Sequence, residues 1–170
     1  MKWMFALFIA IFFSLMLIGC ESNDETEARD IRIVDSEKVW PENFYEVAFR
    51  REEAPHYSYA VNKVSNQNDF EKTWKSFQLM TKRPQIDFNT KEILFLGVEE
   101  SGSCPLELNS QDVKLTEQKI TINLRSPDGN CTDDATQRTF VIEIPKRKSE
   151  EYSKVIVVEG GTESSISIKE

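Results

Sequence analysis

Ile93-Leu94-Phe95-Leu96-Gly97-Val98 is the longest unbroken apolar run downstream of residue 30. Six residues suit a strand better than a helix. A continuous run, rather than an alternating one, is what a strand covered on both faces requires. The stretch is therefore expected at the centre of a sheet, with an apolar layer above it and another below.

The flanking sequence supplies such layers. Upstream, Asp69 to Thr81 reads as the one amphipathic helix. Asn68 is placed to cap it, with Glu71 three residues on as in a capping box. Phe70, Trp74 and Phe77 recur at i, i+4 and i+7, which gives a single aromatic face to pack on the sheet. Lys82 and Arg83 suit the negative C-terminal end, and Pro84 is expected to stop the helix. The other patterned segments read as strands: Ile31 to Asp35, Asn43 to Arg50, Tyr57 to Val64, Leu106 to Leu115, Ile120 to Leu124, Phe140 to Ile144, Val155 to Val158, and a last one around Ile166 and Ile168. They follow one another through short polar turns rather than through helices. The expected fold class is thus α+β, a mostly antiparallel β-sheet with one amphipathic helix packed on a face.

The N-terminus has a different character. Lys2 precedes an apolar run from Trp3 to Ile18, broken by Ser14, which reads as a secretory signal. The run is slightly short of the roughly 20 residues that a spanning helix needs; a retained signal anchor is the alternative. Leu17-Ile18-Gly19-Cys20 resembles a bacterial lipobox, in which the thiol of Cys20 takes up a diacylglyceryl group and the small Gly19 fits the peptidase. Residues 21–30, ESNDETEARD, are too polar and acidic to bury themselves and read as an extended tether. The expected organisation is a lipoprotein signal peptide over 1–19, the lipidated Cys20 with its acidic tether over 20–30, and a single β-rich globular domain over 31–170. The expected location is extracytoplasmic, lipid-anchored to the cell membrane.

The 170 residues carry 21 basic and 29 acidic side chains, a net charge of -8. That balance lacks the basic stripe that phosphate backbones demand, so no nucleic acid is expected as a partner. An anionic bilayer surface would repel the body while the lipid holds it nearby.

Three cysteines are an odd number for an exported chain. With Cys20 committed to lipid, Cys104 and Cys131 remain as a pair. A hairpin of Leu106 to Leu115 with Lys119 to Arg125 would bring both to its open end. A disulfide is expected there; two free thiols are the alternative.

Little else in the chain suggests chemistry. His56, the single histidine, has no marked nucleophile or acid partner. Asp128-Gly129-Asn130 with Asp133-Asp134 has the composition of a calcium loop but not its spacing, and a long turn demands the same residues. Lys146-Arg147-Lys148 reads as a solvated bend after Pro145. Gly160-Gly161 precedes no helix and so makes no phosphate cradle. No catalytic residue, metal or cofactor is expected.

Pro84-Gln85-Ile86-Asp87-Phe88 follows a Trp-containing helix and precedes an apolar strand that ends in Gly97-Val98, then Ser101-Gly102 and a strand hairpin. From Phe70 to Ile144 this order resembles the C-terminal domain of the protease-complex subunit (PrcB-like) family. Ser101-Gly102-Ser103-Cys104-Pro105 stands where that family has a Gly-Gly-Tyr loop, and no functional residue is carried over. The resemblance implies a non-catalytic domain that stabilises an envelope complex. The functional expectation is accordingly a membrane-anchored, non-catalytic protein-binding module with an envelope protein as partner. Its contact surface would be Ser101 to Pro105 and Ser126 to Gln137. A small envelope hydrolase or ligand-binding lipoprotein, using His56 or the acidic loop, is the alternative.

Overall fold

The computed structural model describes residues 30–48, 58–116, 118–146 and 152–168. In chain order the elements are β1 (Arg32–Glu37), α1 (Phe44–Ala48), β2 (Tyr59–Val64), α2 (Gln67–Ser76), β3 (Lys91–Glu100), a 3-10 turn (Ser110–Asp112), β4 (Val113–Leu115), β5 (Lys119–Leu124), β6 (Thr136–Pro145), β7 (Lys154–Glu159) and β8 (Thr162–Ser167). The strands form two four-stranded sheets, ordered β1-β6-β3-β2 and β4-β5-β7-β8.

The apolar run lies in β3, at the interior of the first sheet, where it pairs antiparallel with β2 on one edge and β6 on the other. Its two faces serve two different layers. Leu94, Leu96 and Val98, with Phe140, Ile142 and Ile144 of β6, pack against Ile120, Ile122 and Leu124 of β5 and Val155 and Val157 of β7. The two sheets thus share one core. On the opposite face Ile93, Phe95 and Val141 meet Phe70, Trp74 and Phe77. The Phe77 and Phe70 rings lie 5.2 and 5.9 Å from that of Phe95. The result is α+β and sheet-dominated, with the amphipathic helix on one face as the aromatic spacing requires.

Gly97 interrupts the run where the Phe44 ring lies against β3. It faces Ala60 across the β2–β3 ladder, and a Cβ on it would touch the Phe44 ring at 3.4 Å. The two small residues leave a depression in which Phe44 sits, with Trp40 stacked on it at 4.0 Å.

Several segments differ from the sequence expectation. Asn43 to Arg50 was expected as a strand, but Phe44–Ala48 is helical and residues 49 and 50 lie outside the described part. A strand would send Phe44 and Ala48 to the same face as Glu46. A helical turn buries the two at i and i+4 and leaves Glu46 exposed. The main helix begins and ends earlier than expected, at Gln67–Ser76. Asn66, not Asn68, is its cap and accepts the Asp69 N–H at 3.0 Å. It ends because Gln78 turns left-handed, at φ 58°, well before Pro84. The released segment is captured by Glu37, whose carboxylate accepts the N–H groups of Met80 (3.0 Å) and Thr81 (2.9 Å). Partial burial pushes the Glu37 carboxyl up, but these bonds together hold it below the usual carboxylate range.

Leu106 to Leu115 is a strand only at its end, Val113–Leu115, preceded by the 3-10 turn that Asn109 and Asp112 close as a capping box. An isolated bridge, Glu107 to Arg125, continues the pairing. β7 runs parallel to β5, against the antiparallel rule elsewhere. The parallel pair arises because β6, which lies between them in sequence, crosses into the first sheet. The β7–β8 turn is a tight one at Gly160 and Gly161, with φ of 56° and 80°, which favour glycine.

The sheets are also joined by a polar contact: Tyr59 of β2 donates its hydroxyl to Glu159 of β7 at 2.6 Å. Burial pushes the Glu159 carboxyl above its ordinary value, and the Tyr59 bond offsets this only in part. The folded state therefore holds the Glu159 proton more tightly than the unfolded chain does. Its contribution to stability is complete below the ordinary carboxylate range and is lost as pH rises through the raised value. Glu159→Gln keeps an acceptor for Tyr59 and removes the charge. Thermal unfolding should place this variant a few degrees above the parent at neutral pH, with the difference vanishing as pH falls below the ordinary glutamate range.

Candidate functional site

Where β3 ends and β6 begins, Glu100 pairs with Thr136, and beyond that pair the chain opens into two loops. The stem is held by a buried charge. The Glu100 side chain is wholly inaccessible to solvent and accepts Arg138 Nε at 3.0 Å and Nη2 at 2.9 Å on one oxygen. Its other oxygen accepts the Leu106 N–H at 2.8 Å, which turns the first loop back toward the second sheet. Arg138 also donates to Ser36 of β1 at 3.3 Å. Removing one partner of such a pair would leave an uncompensated buried charge, costing about 3–5 kcal/mol.

Above the stem, Cys104 and Cys131 form a disulfide with their Cα atoms 5.5 Å apart. The pairing expected from the sequence is present, and the isolated bridge Glu107–Arg125 lies beside it. A cross-link spanning 27 residues stabilises by about 3.6 kcal/mol on the chain-entropy account.

A polar lattice then joins the loop tips. Ser101 Oγ donates to Thr132 O at 2.9 Å, and Ser103 Oγ accepts the Thr132 N–H at 2.8 Å. Asp134 accepts the Gly102 N–H at 3.0 Å and the Thr132 hydroxyl. The bonds from Thr132 and Gly102 hold the Asp134 carboxyl below the usual range. Gly102 is needed for this approach, since a Cβ there would collide with the Asp134 carboxylate. Residues 126–135 are exposed throughout, and the side chains of Asp128, Asn130 and Asp133 carry none of these bonds. The outcome is a preformed, solvent-facing, acidic surface on a rigid stem.

Local sequence did not reveal the stem. Glu100 and Arg138 are 38 residues apart and carry no shared motif. The only hint is a glutamate that follows an apolar run and an arginine that precedes a later one. Asp134, considered above as a calcium ligand, is occupied with Gly102 and Thr132. Among the described residues, no group of three or more His, Cys, Asp or Glu is placed to hold a metal ion. His56, Cys20, Arg147, Lys148 and residues 1–29 lie outside the described residues. Among those described, no helix is long and apolar enough to cross a membrane.

Two open clefts occur elsewhere. One, of about 740 Å³, lies between α2 and the segment after it, with Glu71 and Arg83 paired at 3.3 Å on its wall. The other, of about 370 Å³, lies beside the start of β1 and includes Asp30, Arg32, Lys91 and Glu143. Both are lined by polar side chains that bond to one another, and neither adjoins the loops.

Replacing both loop cysteines (Cys104→Ser with Cys131→Ser) should lower unfolding free energy in urea by about 2–4 kcal/mol. The Glu100 stem should keep the domain folded. Unreduced parent protein should take up no alkylating reagent at either position, as read by peptide mass spectrometry. Comparison with protein-family models, with curated proteins and with solved structures finds no match to this chain.

Proposed function

We propose that the protein is a membrane-anchored extracytoplasmic lipoprotein acting as a non-catalytic protein-binding or complex-stabilising module at the cell envelope. The observation that carries this reading is the Cys104–Cys131 disulfide beneath two exposed loops. A stable disulfide belongs to an oxidising compartment, which agrees with an export signal over residues 1–19. It also leaves Cys20 as the unpaired cysteine, at the position where lipobox chemistry uses a thiol. Two acyl chains or more on Cys20 suffice for stable anchoring.

A binding module gains from a surface that is ordered before its partner arrives, because ordering a loop on contact subtracts from affinity. The buried Glu100 stem and the disulfide supply that order here. The resemblance of Phe70 to Ile144 to the PrcB-like family supports the complex-stabilising form of the reading, and it calls for no cofactor.

Cys20→Ala should abolish incorporation of an alkyne-palmitate label and move the protein from the membrane to the soluble fraction. A variant that loses the label but stays on the membrane would establish an uncleaved signal anchor instead. Photo-crosslinking from the loops in intact cells should capture an envelope protein. The combined substitutions Asp128→Ala, Asn130→Ala and Asp133→Ala should abolish that capture while leaving the melting temperature unchanged. Equal capture by the triple variant would refute the loops as the contact surface.

A further inference from the structure

The two ends of β3 define opposite poles of the body, and the chain enters at one of them. Arg32, which opens β1, pairs with Glu143, and Lys91, which opens β3, pairs with Pro145. At the far end Glu100 pairs with Thr136, and the disulfide-bonded loops open beyond it. The β7–β8 turn lies at that end too, because Glu159 reaches Tyr59, whose ladder partner is Val98. A ten-residue strand at ~3.3 Å per residue separates the poles by roughly 30 Å.

The point of entry is clamped. Ile31 is buried at 3% exposure. Lys91 Nζ bonds the Asp30 carbonyl at 3.2 Å and lies 3.5 Å from its carboxylate. Arg32 forks onto Glu143 at 2.9 and 2.7 Å. Lengthening the tether by peeling β1 from the sheet would break all three contacts, so only residues 21–29 are left to span the gap from Cys20.

We infer, on the reading that Cys20 carries the lipid, that the disulfide-pinned loops form the membrane-distal pole. Their protein partner therefore approaches from the aqueous side and does not lie within the bilayer. The ten residue steps from Cys20 to Asp30 reach at most about 35 Å when fully extended. Turning the loops onto the headgroups would require the tether to run back along the whole body, consuming nearly all of its contour length. The opposite orientation leaves the tether free. Charge acts in the same direction. Residues 126–137 include Asp128, Asp133 and Asp134 and no Lys or Arg, whereas at the entry pole Asp30 pairs with Lys91 and Glu143 with Arg32. With Asp30, Asp87 and Glu143 set against Arg32 and Lys91 at the entry pole, an anionic leaflet repels the loops more strongly than that pole.

The test uses the full-length lipidated protein, purified from membranes and reconstituted on vesicles of phosphatidylethanolamine and phosphatidylglycerol with an acceptor dye on a headgroup. A donor dye is attached through Gln85→p-azidophenylalanine, beside Asp30 and Lys91 in the entry-pole cleft, or through Asp128→p-azidophenylalanine in the distal loop. Both proteins should float with the vesicles, and energy transfer from position 85 should be several-fold more efficient than from position 128. Floating protein with equal transfer from both sites, or more from 128, overturns the orientation and leaves the anchoring intact. Failure to float overturns the anchoring and the inference with it. Inserting about thirty Gly and Ser residues after Glu25 should narrow the difference between the sites. An undiminished difference would overturn tether length as its cause.

Discussion

A strand apolar on both faces and paired along both edges has no surface left for water, and β3 is such a strand. Ile93, Leu94, Phe95, Leu96 and Val98 are all at 0% exposure. Burying each large side chain contributes about 1.5–3 kcal/mol, so leaving either face uncovered would forfeit a sum comparable to the stability of a whole domain. The two layers around β3 follow from this. One face requires an element with a narrow aromatic stripe, which α2 provides. The other requires a second flat apolar surface, which a helix of this length cannot supply and which β5 and β7 do.

Sliding of the central strands is opposed by charge as well as by shape. Three carboxylates are buried in the first sheet, each with its cation on a neighbouring strand. Lys63 of β2 lies 3.5 Å from Glu92 of β3, Arg138 of β6 holds Glu100 of β3, and Arg32 of β1 forks onto Glu143 of β6. A slip of one residue would turn every apolar side chain to the wrong face. A slip of two would preserve the apolar pattern, but between β1 and β6 it would part Arg32 from Glu143, its direct partner across the ladder, and leaving a buried carboxylate without its cation costs several kcal/mol. Apolar alternation excludes odd shifts, and the Arg32–Glu143 pair penalises even ones between β1 and β6. Because the buried pairs lie toward the strand ends, they also fix the chain entry at Asp30 and the stem of the distal loops.

The central strand, the aromatic helix face and the cysteine pair were legible because each is written within a short window or in a forced count. Ile93 to Val98 needs no partner to declare burial on both faces, and Phe70, Trp74 and Phe77 declare one side of a helix by spacing alone. Phe44 to Ala48 was misread because an aromatic-rich stretch satisfies a strand pattern. What decides it is the depression made by Ala60 and Gly97, which lie 16 and 53 positions beyond Phe44 and are invisible to local propensity. The helix end was misplaced for a similar reason. Pro84 is a visible stop, but the Glu37 carboxylate that captures Met80 and Thr81 comes from another strand. The parallel pairing of β5 with β7 depends on where β6 goes, which is a property of the whole sheet. For the candidate site, the loops and their disulfide could be read, but the Glu100–Arg138 stem that positions them could not.

The stem and the disulfide act on the loops in different ways. The Glu100 carboxylate, with Arg138 and the Leu106 N–H, is out of water, and its bonds hold at full strength in the native state. It fixes where the loops leave the sheet. The bonds among Ser101, Ser103, Thr132 and Asp134 lie at the surface, where each competes with water and contributes little net order. Such bonds cannot by themselves keep two exposed loops, one of them without a single large apolar side chain, in one arrangement. The disulfide supplies what they lack by removing open-chain alternatives rather than by adding a contact. Reduction would therefore loosen the tips and leave the stem in place. The surface proposed for binding keeps its shape only where the thiols stay oxidised, and the chemistry of the compartment thereby becomes part of the recognition surface.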